Sequence, residues 1–139
     1  MSDWKDGSAG RYDITIEQGA SFALKLDYKD SEDTTLNVSS GISARMQIRE
    51  SIGGILIAWG DTSSDGAPSD AVGETLKHIA FAPLGSTVPN IDISISQSYT
   101  ANYTASQFEG AVYELELFDT TSVTRIMEGH AYLSQRVIK

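Results

Sequence analysis

The chain has 139 residues, a formal net charge of −9 and no cysteine. This length fits one domain, and the lack of cysteine excludes a disulfide scaffold and a cysteine-based zinc site. The acidic balance opposes binding to nucleic acid or to an anionic membrane, since both need a basic surface. No apolar run approaches the roughly 18 residues of a transmembrane helix, and the polar N-terminus lacks the apolar segment of a signal peptide.

Residues 1–10 are predicted to form a flexible N-terminal arm, because they show no hydrophobic periodicity and include Gly7 and Gly10. Trp4 is the exception in this arm, since a large aromatic ring is usually mostly buried. Two interpretations stay open: Trp4 folds back onto its own domain, or it docks on a neighbouring subunit. Residues 11–139 are predicted to form a single domain.

Short strands are predicted along most of the chain. Between residues 42 and 48, for example, every second side chain is apolar. A period of two is typical of a half-buried antiparallel strand. Similar short runs, separated by turns rich in Gly, Asp and Ser, predict strands at 12–16, 22–28, 42–48, 55–59, 75–81, 91–95, 112–118 and 123–133.

Two segments depart from this pattern. Residues 60–73 are rich in Asp, Ser, Gly and Ala and are predicted to form a long exposed loop. A loop of this length in a compact domain is often functional. Residues 99–108 are the one helix-like stretch, so at most one short helical turn is expected, near residues 100–107.

The fold class follows from these elements. About eight short strands with turns at regular intervals favour two antiparallel sheets packed around one core. We therefore predict an all-β, immunoglobulin-like antiparallel sandwich of about seven to nine strands. A small jelly roll or a closed barrel is the alternative.

No arrangement of residues predicts catalysis. The chain has no G-x-S-x-G motif, and its two histidines, His78 and His130, lie in predicted strands, where a surface or interface position is expected. Glu114 and Glu116 share one strand face, roughly 7 Å apart, which is a weak glycosidase pattern. We predict that the chain is not an enzyme and has no catalytic residue and no cofactor.

Charged side chains have simpler interpretations. Arg45 and Arg49 are expected to pair with Glu114 and Glu116 on a facing strand, where exposed pairs contribute about 0–1 kcal/mol each. The aspartates of the 60–73 loop do not follow the D-x-D-x-D-G spacing of a calcium loop, so no metal site is predicted.

Four segments carry a resemblance to a known family. They are residues 16–24 (IEQGASFAL), 41–49 (GISARMQIR), 110–117 (GAVYELEL) and 123–129 (VTRIMEG). In this order they resemble short virion proteins of tailed phages, including myophages of marine cyanobacteria, and are similar to the N-terminal domain of baseplate upper proteins of some siphophages. The resemblance implies an immunoglobulin-like sandwich and a structural role, often at the baseplate. The segment 60–90 is longer than this family pattern.

The predicted function is therefore protein–protein assembly, in a protein made in the host cytoplasm and located in the virion tail or baseplate. The expected partners are other virion proteins, in multiple copies around a symmetric assembly. The neck and the capsid surface are alternative locations. Aromatic rings and the C-terminal tail supply the candidate interface residues, which are Trp4, Trp59, Tyr99, Tyr103, Phe108, Arg136 and Ile138.

A carbohydrate-binding module or adhesin is the second candidate function. Sugar sites stack rings on exposed Trp or Tyr, and Trp59 beside the long polar loop is the one plausible platform. The competing interpretation of Trp59 is a core residue at the end of a strand.

Overall fold

A computed structural model of the chain describes residues 10–28, 41–63, 65–84 and 90–138. Within these ranges the chain forms nine strands. They are β1 (Gly10–Arg11), β2 (Ile14–Glu17), β3 (Phe22–Leu26), β4 (Ser43–Arg49), β5 (Leu56–Asp61), β6 (Ile79–Phe81), β7 (Ile91–Ile95), β8 (Val112–Phe118) and β9 (Val123–Ser134). The predicted arm lies outside the described residues except for Gly10, which belongs to β1.

The strands form two sheets. The larger sheet has the order β1–β9–β8–β4–β5, with β2 also paired to β9, and the smaller sheet has the order β3–β7–β6. This order is the immunoglobulin-like arrangement, so the predicted all-β sandwich is confirmed. Not every pairing is antiparallel: β1 and β2 run parallel to β9. These strands can pair with β9 in parallel because they are distant from it in sequence, and only a short hairpin would force an antiparallel pairing.

The helical turn predicted near residues 100–107 is present as two separate turns. One is α1 (Gln97–Thr100), and the other is a 3₁₀ turn (Ala105–Phe108). The Ser96 hydroxyl accepts a hydrogen bond from the Ser98 amide at the start of α1. The Thr104 and Gln107 side chains form a capping box at the 3₁₀ turn. Each capped start satisfies backbone donors that a short helix leaves open.

The core follows from the alternation in the strands. Along β4 and β8 every second residue is buried, and the residues between them are half-buried. Ile48 and Leu115 are fully enclosed, as are Ile91 and Ile93 from the facing sheet. The predicted period of two therefore places the apolar side chains of both sheets in one shared interior.

The connection between β5 and β6 is mostly an irregular, exposed loop as predicted, with two exceptions. Gly66 and Pro68 are buried in it, and the Leu76 carbonyl accepts a hydrogen bond from the Trp59 amide. The strand predicted at 75–81 is shortened to β6, because residues 73–76 form a turn in which Leu76 has a φ of 68°. Beside this connection β5 approaches β6 so closely that a Cβ on Gly60 would lie 2.0 Å from the Ile79 carbonyl oxygen.

Candidate protein interaction surfaces

The seven predicted interface residues fall into three groups. Trp4 lies outside the described residues. Tyr99, Arg136 and Ile138 are exposed. A ring buried within its own domain is not available to a partner, so the prediction is wrong for the remaining three, which are Trp59, Tyr103 and Phe108.

Trp59 is buried because the β5–β6 connection covers it. Only 2% of Trp59 is exposed, and the Lys77 ammonium lies 5.0 Å from the centre of its ring. The indole N–H donates a hydrogen bond to the Thr75 carbonyl at 3.2 Å. A platform for sugar stacking needs an open ring face, so the glycan-platform interpretation of Trp59 is also wrong.

Tyr103 and Phe108 belong to an aromatic cluster with His78 and Tyr99. The His78 and Tyr99 rings stack with centroids 4.1 Å apart, and the Tyr103 and Phe108 ring centroids are 5.5 Å apart. The His78 Nδ1 lies 2.8 Å from the Tyr103 hydroxyl. Burial lowers the pKa of His78 and raises that of Tyr103, since both lose water around their charged forms. The cluster therefore holds His78 in a structural role.

Gln18 joins this cluster to the tail that follows β9. Its side-chain amide donates to the Tyr103 carbonyl at 2.7 Å, and its Oε1 accepts a hydrogen bond from the Arg136 amide at 2.9 Å. In the sequence, Gln18 falls between the strands predicted at 12–16 and 22–28. Nothing in its local pattern indicates partners 85 and 118 residues away.

Three connections meet at one end of the sandwich. The pairing of Arg49 with Val112 places the β4–β5 hairpin beside the connection that leads into β8. Because β9 runs parallel to β2, its last residue, Ser134, lies opposite Glu17 and next to the β2–β3 turn. We call this the apolar end: the β2–β3 turn (18–21), the β4–β5 hairpin (50–55), the β7–β8 connection (96–111) and the tail (135–138).

Exposed apolar side chains concentrate at the apolar end. Ile52 of the hairpin is 91% exposed. A bidentate pair between Arg49 and Asp70, at 2.7 and 2.8 Å, ties the β5–β6 connection to the end of β4 that leads into this hairpin. Among the described residues, five of the nine exposed large apolar side chains are found here: Ile52, Ile55, Tyr99, Val137 and Ile138.

The outer face of the larger sheet forms a second surface, a charged groove of about 490 Å³. Arg45 donates to Glu116 at 2.7 Å, which confirms that predicted pair. Arg49 instead pairs with Asp70, whose pKa is lowered to about 2 by the guanidinium hydrogen bonds. Direct contact with a hydrogen-bonded arginine favours the charged carboxylate, so this pair stays ionised over most of the acidic range.

Glu114 occupies the middle of this charged face. Its carboxylate lies 3.1 Å from Arg125, which also contacts Glu128 at 3.2 Å. Burial and a hydrogen bond with Glu116 raise the pKa of Glu114. Glu114 and Glu128 lie opposite each other across β8 and β9, and Arg125 bridges these two like charges.

The sequence predicts that the chain has no catalytic residue and no metal site, and both statements stay predictions. Within residues 10–28, 41–63, 65–84 and 90–138, no group of three or more His, Asp or Glu side chains is placed to hold a metal ion. His130 lies on β9 beside Tyr132, with ring centroids 5.9 Å apart. No helix in the same ranges is long and apolar enough to cross a membrane.

Comparison with known proteins does not assign the chain to a family. No family model matches the chain. No curated protein matches it either. The resemblance of the four segments to phage virion proteins therefore stays a prediction.

Proposed function

We propose that the chain is a structural protein of a tailed-phage virion, located in the tail or baseplate, and that it acts by binding neighbouring virion proteins. The four segments that resemble such proteins support the phage assignment. The sandwich fold agrees with what this resemblance implies. In this role the protein positions its neighbours, and binding alone is its function.

The observation that carries the binding role is the concentration of exposed apolar side chains at the apolar end. Ile52 and Val137 are each at least 90% exposed, and burying such side chains contributes about 25 cal/mol per Å² of apolar area. Single exposed apolar residues need no explanation, whereas several on one surface mark an interaction site. The expected partners are other virion proteins, repeated around a symmetric assembly.

Mass spectrometry of gradient-purified particles tests this function in the phage that encodes the chain. We expect the chain to co-purify with particles in multiple copies. If the chain is expressed but stays entirely in the particle-free fraction, the proposed function is wrong.

Separated heads and tails test the location. Recovery of the chain with tails supports the baseplate or tail position. Recovery with heads or with the isolated neck moves the protein to the alternative positions, where the sandwich would bind neck proteins or decorate the capsid.

A further inference from the structure

We infer that the tail of one copy, residues 135–138, binds as an added strand in the cleft between β2 and β3 of a second copy. This inference deepens the proposed function and rests on it, because the virion assembly is where copies of the chain would meet. It names a second copy of this chain as the partner of the tail.

The cleft lies between the outermost strands of the two sheets in the part of the chain that the structure describes. It has a volume of about 430 Å³. Of its lining residues, Ile14, Phe22 and Leu24 are buried in the core of their own chain, whereas Thr15, Ser21 and Ala23 are exposed. An outermost strand directs alternate N–H and C=O groups away from its sheet, where an extended segment can pair with them.

The tail has the properties of such a segment. Val137 and Ile138 are 90% and 75% exposed, and both are β-branched. Side chains of this type favour a strand, in which they pack against neighbours on a pleated surface. On their own chain these two side chains leave most of their apolar surface in water.

The tail is held away from the cleft of its own chain. The Arg136 amide donates to Gln18, and the Arg136 side chain packs against Gly19. A Cβ at Gly19 would lie 2.7 Å from Arg136 Nη1, and the φ of Gly19 is +83°. These contacts fix the tail at the β2–β3 turn, and a reversal into the cleft of the same chain would break them.

The charges of tail and cleft are complementary. Asp13 and Glu17 line the cleft, whose described lining contains no Arg or Lys; the Asp13 carboxylate also lies 3.9 Å from Arg11 of its own chain. The tail carries Arg136, and Lys139 follows it in the sequence. Opposite charges of this kind fix the orientation of an added strand more than they increase its affinity.

The symmetry of the contact follows from its two different surfaces. A tail that binds a cleft forms a head-to-tail contact between copies. If the rotation from one copy to the next closes after a whole number of copies, the result is a ring; otherwise it is an open chain of copies. A stable interface buries roughly 1,200–2,000 Å², more than this short tail supplies. We therefore expect a Kd on the order of 0.1–1 mM for isolated copies, with ring closure raising the effective affinity.

Paramagnetic NMR tests the contact directly. Since the chain has no cysteine, a spin label attached to the full-length Gln135→Cys variant has a single site, at an exposed tail position next to the two apolar side chains. This variant is mixed with isotope-labelled wild-type chain, so that only intermolecular contacts broaden the observed amide signals. With both copies at about 1 mM, we expect the amide signals of Thr15, Ser21 and Ala23 to lose about half of their intensity.

The matched control places the label at Val123→Cys, on an exposed residue at the opposite end of the sandwich. Cleft broadening from the tail label and not from the control label supports the inference. Broadening confined to other surfaces, equal broadening from both labels, or none overturns it. Virion incorporation without cleft broadening would refute the tail contact alone, and cleft broadening with the chain absent from virions would refute the virion role alone.

Discussion

Asn90 and Tyr28 illustrate how single side chains determine the structure at the residue scale. The Asn90 side chain donates from Nδ2 to the Tyr28 backbone carbonyl at 2.9 Å, and its Oδ1 accepts from the Tyr28 backbone N–H at 2.8 Å. Both residues are buried. These bonds extend the β3–β7 pairing past the end of both strands. Local sequence does not reveal this pair, because the two residues are 62 positions apart.

Substitution Asn90→Ala tests this pair. It removes both hydrogen bonds within a buried region, so we expect a loss of about 2–3 kcal/mol in the free energy of unfolding. Urea denaturation followed by fluorescence measures the loss. An Asn102→Ala variant is the control, since its side-chain bond to the Ser98 carbonyl is exposed. Equal losses in the two variants would contradict the account.

His78 predicts a pH dependence of stability. Its pKa is lowered in the folded chain by burial, so the unfolded chain binds the proton more readily. Neutral His78 therefore makes its full contribution to the free energy of unfolding above the unfolded pKa of about 6.5. This contribution is lost as pH falls through and below that value. His78→Phe retains an aromatic ring beside Tyr99 and cannot titrate.

We therefore expect a smaller drop in unfolding free energy between pH 7.5 and 5 for His78→Phe than for the wild type, measured by urea denaturation. The control is His130→Gln, which keeps His78 and should keep the wild-type drop. An identical pH dependence in His78→Phe and the wild type would refute this role for His78.

At the scale of elements, the β5–β6 connection shows where sequence patterns stop being sufficient. Alternation located β4 and β8 and the face that each buries, because that pattern depends only on neighbours along the strand. It did not indicate that both faces of β5 are buried, since the cover over Trp59 comes from residues 75–77. Asp61 is likewise enclosed, beside Lys77 at 3.1 Å.

The exposed residues of the apolar end and the partners of Arg49 were predicted only in part for the same reason. Tyr99 was identified because aromatic rings in flexible segments are natural anchors, and the tail because it could add a strand to a partner. Arg49 was assigned to Glu114 and Glu116, whereas its partner Asp70 is brought close by the path of the connection. Ile52 and Ile55 were missed as a surface, although their position beside Gly53 and Gly54 indicated a hairpin tip.

The pair between Arg49 and Asp70 gives a prediction for this element. The Asp70 pKa is lowered to about 2, so its stabilising contribution is complete above the unfolded pKa and is lost as pH falls from about 4 toward 2. We expect Asp70→Asn to be less stable than wild type at pH 7, with the difference shrinking across that acidic range. Urea denaturation measures it, and a difference that is constant with pH would contradict the ion-pair explanation.

At the scale of the whole molecule, charge and apolar surface have different distributions. The net charge of −9 opposes contact between copies at long range, but this repulsion is screened beyond about 8 Å at physiological salt. The apolar residues instead concentrate at one end. Under the proposed function, we therefore expect contact with neighbours to depend on short-range burial at that end.

A double variant tests that dependence. Ile52→Ser with Ile55→Ser removes two exposed apolar side chains from the hairpin, so we expect little change in folding stability and reduced incorporation into particles. Val123→Ser, an exposed position at the opposite end, is the matched control. Quantitative mass spectrometry of particles measures incorporation, and equal incorporation of both variants would exclude the hairpin from the contact.

The most direct measurement of the central claim is a cryo-EM map of the virion that contains this chain. We predict density for the two-sheet sandwich in the tail or baseplate, with the end that carries Ile52, Tyr99 and Val137 packed against a neighbouring protein. A map that places the sandwich in the particle with this end in open solvent, or a complete map without the chain, would contradict the account.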